Sequence, residues 1–107
     1  MAEPADRRAS ERLAAGPGAA CTFAGRVAED LGQAKVRDVS MEGVGLLLAK
    51  RVEVGAVLVL GLTHPEKGFA KTVMVKVAHV TAVPGGFLVG GTLDAPLTYQ
   101  ELTTLVL

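Results

Sequence analysis

A chain of 107 residues is one domain, and with half its residues apolar it can fill a core without a disulfide or metal staple. Eleven basic residues balance eleven acidic ones, which argues against a general DNA- or RNA-coating protein and against a polybasic membrane tether. The single cysteine, Cys21, excludes an internal disulfide, and no apolar run approaches the ~20 residues of a membrane span.

The first residues, Met1-Ala2-Glu3-Pro4-Ala5-Asp6, carry no apolar signal core, so a cytoplasmic protein is expected. Residues 1–19 read as a flexible arm. Arg7, Arg8, Glu11 and Arg12 stand among alanines, and Gly16-Pro17-Gly18 ends any helix. Residues 20–107 read as the folded body.

That body is expected to be mainly β. Fifteen valines and thirteen glycines accompany only four aromatics. Valine suits a pleated, half-buried surface, and glycine punctuates turns. The pattern predicts strands over Ala20–Gly25, Gln33–Val39, Val44–Leu48, Ala56–Leu62, Phe69–Val83 and Phe87–Leu93. Turns are predicted at Glu29–Gly32, Ser40–Gly43, His64–Gly68 and Pro84–Gly86. The long fifth strand is expected to be bulged or bent. Six short strands with regular turns suggest a small antiparallel barrel or sandwich. The chain then changes character. Thr98 and Glu101 form a capping box, and Leu97 and Leu102 sit at the positions of a hydrophobic staple. A short helix over Tyr99–Val106 follows, with Leu102, Leu105 and Val106 on one side to cover a barrel end.

Little here resembles catalytic machinery. The two histidines, His64 and His79, have no Cys, His or carboxylate at ligand spacing, so no metal is expected. Ser40 lacks a nucleophile elbow, and no phosphate-loop or dinucleotide fingerprint is present. Two constellations remain. Arg8 and Arg12, preceded by Arg7, provide guanidinium groups suited to bidentate bonds with phosphate or the O6/N7 edge of guanine. They also fit a solvated charged arm. Asp38-Val39-Ser40-Met41-Glu42-Gly43 runs from a strand end into a tight turn. The Asp38 carboxylate suits the N–H edge of guanine, the Ser40 hydroxyl suits a phosphate oxygen, and Gly43 suits a close backbone approach. The same residues also fit an ordinary turn between two strands.

In order, Arg8-x-x-x-Arg12 and, about 25 residues later, Asp38-x-Ser40-x-x-Gly43 in a small β domain resemble the PilZ family. The resemblance covers nearly the whole chain. It continues through the Gly43–Leu46 strand start, Val77-Ala78-His79-Val80, Gly85–Gly90, and Leu97-Thr98 at the terminal helix. One departure is Leu93, where the family often has phenylalanine at the end of the last strand. The resemblance implies a six-stranded antiparallel β-barrel with a C-terminal helix and a mobile N-terminal arm. It also implies a bacterial receptor for cyclic di-GMP rather than an enzyme. The ligand-binding residues it implies are Arg7, Arg8, Arg12, Asp38, Ser40, Gly43 and His79, with no cofactor beyond that ligand. The expected partners are cyclic di-GMP and an unidentified downstream protein, with no DNA or RNA. A homodimer is expected to cover part of the apolar outer face of the Ala56–Leu60 and Val73–Val75 strands. The alternative function is a PilZ-like protein-interaction module that no longer binds nucleotide.

Overall fold

The computed structural model describes residues 12–23 and 34–107. Arg7, Arg8 and the Glu29–Gly32 turn lie outside the described residues. The strands are β1 (Leu13–Ala14), β2 (Ala20–Phe23), β3 (Ala34–Val39), β4 (Gly43–Leu48), β5 (Val57–His64), β6 (Phe69–Val83) and β7 (Gly86–Leu93), followed by helix α1 (Tyr99–Val106). A single 3-10 turn, Pro65–Lys67, joins β5 to β6. All pairings are antiparallel, in the order β1-β3-β4-β7-β6-β5-β2.

Two expectations need correction. The described sheet has seven strands rather than six, because Leu13–Ala14, read as part of the arm, pairs with Val39 and Asp38 of β3. Two residues are too few to show a period of two, so the sequence carried no signal for this strand. Among the described residues the barrel is also not closed by hydrogen bonds. It is a curled half-barrel whose edge strands among the described residues are β1 and β2. The chain itself joins those edges through residues 15–19. Ala15 N donates to Arg37 O (3.0 Å) and Gly16 N to Leu105 O (2.8 Å), so this connection lies against both β3 and the last turn of α1. At Gly18 a Cβ would overlap the imidazole of His64, which is buried. The Gly-Pro-Gly stretch is therefore small where it crosses the end of β5.

Alternation builds the core. In β5, Leu58, Leu60, Leu62 and His64 point inward while Val57, Val59, Gly61 and Thr63 face out. In β6, Val73, Val75 and Val77 point inward. These meet Val39, Val44, Leu46, Leu48 and Val89 from the other strands. The β6–β7 hairpin turns on Pro84 and Gly85. Gly85 has φ +89, the left-handed position that a type II turn reserves for glycine. Val57 and Met74 stay exposed on the outer face. Among the described residues no helix is long and apolar enough to cross a membrane.

Helix α1 covers one end of the half-barrel, with Leu97, Leu102 and Leu105 buried beneath it. Each such leucine contributes about 1.5–3 kcal/mol. Its start is the expected capping box. Thr98 N donates to Glu101 Oε1 (2.8 Å) and Glu101 N to Thr98 Oγ1 (3.1 Å). Lys71 Nζ of β6 also reaches Glu101 Oε1, at 2.9 Å. The bond from Thr98 N, then that from Lys71, holds the Glu101 carboxyl below the usual carboxylate range. A lowered folded-state value gives stability that is present above the unfolded pKa, about 4.3, and is lost as pH falls through the folded value. Glu101→Gln should therefore melt below the wild type at pH ~7, with the gap closing as acid protonates the wild-type carboxyl. Parallel melting curves across acid pH check this. A constant gap would show that the carboxylate charge is not what the helix start uses.

Candidate ligand-binding site

The site lies across four neighbouring strands. Register pairs Asp38 of β3 with Gly45 of β4, Gly45 with Gly90 of β7, and Gly90 with His79 of β6. Three strand spacings of ~4.8 Å put the backbones of Asp38 and His79 ~14 Å apart. The two inner positions have no side chain. A Cβ at Gly45 would meet the Asp38 carboxylate, at 2.8 Å from Oδ2, and one at Gly90 would overlap the His79 ring. The outer side chains thus fold inward over a bare backbone floor.

Two β-bulges make this arrangement. The β3–β4 register slips between Val36 and Asp38, and the β6–β7 register slips between Val77 and His79. In a regular strand, successive side chains point to opposite faces. Here Val36 and Val39 pack with the core, while Arg37 is exposed and Asp38 lies outside over Gly45. In the same way Val77 and Val80 pack inward while Ala78 and His79 are exposed. Each bulge turns one residue that alternation would bury onto the outer face.

A pocket of about 280 Å³ lies on this row, lined by Arg12, Arg37, Asp38, Gly45, His79, Leu88 and Gly90 among others. Arg12 Nη1 donates to Asp38 Oδ1 at 2.8 Å, with the side chains 38% and 32% exposed. Such a partly exposed pair adds little stability, about 0–1 kcal/mol. Its effect is to orient two groups. The guanidinium carries five N–H donors and the carboxylate two oxygens, so each keeps bonding capacity for a ligand.

Of the residues expected at the site, the structure brings Arg12, Asp38 and His79 to one pocket. Ser40 and Gly43 lie beside it in the β3–β4 turn. Ser40 is buried, its Oγ accepts from Gly43 N (2.9 Å), and its N–H donates to Gly43 O (2.9 Å). The hydroxyl is thus engaged within the turn. Gly43 has no positive φ. A Cβ there would sit 2.8 Å from Gly91 O on β7, with Arg12 Nη2 farther off at 3.4 Å, so what Gly43 supplies is close approach of the β4 backbone to β7 beside the arginine. The sequence reading missed Arg37, Gly45, Leu88 and Gly90. No local sequence pattern marks them: Arg37 joins Asp38 through the register slip, and Gly45, Leu88 and Gly90 reach the pocket through strand pairing.

Other reactive groups lie elsewhere. Cys21 is buried, and desolvation pushes its thiol up to about 11, which keeps it protonated and poorly nucleophilic. His64 is buried with Nδ1 unpartnered among the described residues. Among those residues no cluster of three or more His, Cys, Asp or Glu is placed to hold a metal.

Comparison with known proteins adds one positive finding. The family model described as PilZ domain matches residues 6–106, nearly the whole chain. Neither the curated proteins nor the solved structures returned a match.

Proposed function

The chain belongs to the PilZ domain family, and from that premise we propose that it binds cyclic di-GMP on the Asp38–Gly45–Gly90–His79 row and passes the signal to a protein partner. PilZ domains are a cyclic di-GMP-binding family, and they act as receptor or adaptor modules rather than enzymes. The observation that carries the reading is the Arg12–Asp38 pair at the edge of a side-chain-free floor. Asp38 offers an acceptor for the N–H edge of guanine. Arg12 offers donors to phosphate or to guanine O6/N7. His79, over Gly90, offers an imidazole against which a base can lie.

The pocket is at the small end of the ~300–1,000 Å³ typical of ligand sites. A cyclic dinucleotide seated there needs further cover. Arg8 stands four residues before Arg12, a reach of up to ~14 Å, so Arg7 and Arg8 can close over a ligand on this row. Ligand binding is expected to order that N-terminal arm. A face that exists only in the closed state would then be presented to the partner.

Isothermal titration with cyclic di-GMP tests the reading, with cyclic di-AMP, GTP and a short oligonucleotide as controls. Micromolar affinity for cyclic di-GMP is expected, about −8 kcal/mol. No heat and no competition with any nucleotide would overturn the reading and leave the alternative, a PilZ-like module that binds protein alone.

A further inference from the structure

The pocket contains three charged residues, and only two of them neutralise each other. Arg12 is paired with Asp38. Arg37 is exposed, lines the same pocket, and has no hydrogen-bond or ion-pair partner for its guanidinium among the described residues. Its presence there is a consequence of the bulge. Regular alternation would put Arg37 and the adjacent Asp38 on opposite faces, whereas the register slip sends both outward. The backbone at the bulge is held, since Arg37 O accepts from Ala15 N at 3.0 Å.

A cyclic dinucleotide brings two negative charges to a pocket whose Arg12 is already balanced by a carboxylate. The cation left to meet a phosphate from the sheet itself is Arg37. We propose that Arg37 is a phosphate-binding residue of this site. Its guanidinium holds a phosphodiester oxygen while Arg12 and Asp38 engage the adjoining base. This assignment rests on the cyclic di-GMP reading above. It makes part of the anion recognition a property of β3 and independent of Arg7 and Arg8.

The test is titration of cyclic di-GMP into full-length wild type, Arg37→Gln and Arg37→Lys, at low and at high salt, with melting curves for each. Arg37→Gln is expected to bind roughly tenfold or more weakly, because it loses a charge-assisted bond. Its salt dependence should be shallower, because one screened attraction between the site and the dianionic ligand is gone. Arg37→Lys should keep the wild-type salt dependence. Melting temperatures should agree, since the side chain is exposed. If the wild type binds and Arg37→Gln binds within about twofold of it at both salts, the proposal is overturned and the reading of the site stands. An unchanged salt dependence in a weakened Arg37→Gln also overturns it. If the wild type binds no cyclic di-GMP, both fall together.

Discussion

Gly91→Ala should lower stability by about 2–3 kcal/mol, while the neighbouring Gly90→Ala should leave stability nearly unchanged and weaken cyclic di-GMP binding several-fold. The two glycines are adjacent in β7, but they face opposite sides of the sheet. A Cβ at Gly91 would overlap the Val75 side chain, which is fully buried, and would come within 2.6 Å of the Lys76 carbonyl on β6. Neither can withdraw without moving the core or the strand. The three atoms nearest a Cβ at Gly90 all belong to the His79 ring, the end of an exposed side chain that can swing outward. That movement empties the far end of the binding row. Thermal melts and titrations on the same two variants read the separation. A large loss of stability in Gly90→Ala would show that His79 is packed in place for the fold and would remove its role as a surface for the base.

The second large effect is expected at Arg12. Arg12→Ala should weaken cyclic di-GMP binding by more than tenfold, with a change in stability within about 1 kcal/mol. Two losses combine. The guanidinium donors disappear, and the Asp38 carboxylate is left unpaired where a dianionic ligand must approach. Asp38→Asn isolates the second group. It removes the negative charge while keeping one acceptor oxygen, so it should blunt the preference for cyclic di-GMP over cyclic di-AMP more than it blunts affinity. Competition titrations with the two nucleotides measure both. If Arg12→Ala keeps wild-type affinity, the ion pair is an edge contact that fastens β1 to β3, and the site must be sought elsewhere on the chain.

Much of the fold could be read from residues whose physics is local. The capping box Thr98–Glu101 placed the helix over Tyr99–Val106, the limits observed. Alternation and turn residues placed β3 to β7 to within about two residues, and Phe69–Val83 had the observed limits. The readings that failed depended on tertiary context. Leu13–Ala14 becomes a strand only because β3 offers it an edge. Closure of the barrel depended on whether β1 and β2 meet, which no local pattern records. At the site, Arg12 and Asp38 were legible as a motif, because arginine and aspartate in that order and setting carry a definite chemistry. Ser40 has that chemistry too, but it is buried and bonded within its own turn. Arg37 was overlooked because alternation alone gives no reason to pair it with Asp38. Only the slip of register does so.

The binding row also has a seam in it. Asp38 and Gly45 belong to the β3–β4 hairpin, and Gly90 and His79 to the β6–β7 hairpin. The Gly45–Gly90 pairing is where the two hairpins join, between residues far apart in sequence. A nucleotide seated on the row touches both, so it can bind only while that join is intact. Mass action then raises the free energy of unfolding by RT ln(1 + [L]/Kd), about 2.7 kcal/mol when ligand stands at ~100 times its Kd. Proteases attack the rare open form of a small domain, and the population of that form falls by the same factor. If the proposed function holds, the nucleotide would thereby lengthen the lifetime of the protein that binds it, and the amount of this protein in a cell would rise and fall with the nucleotide.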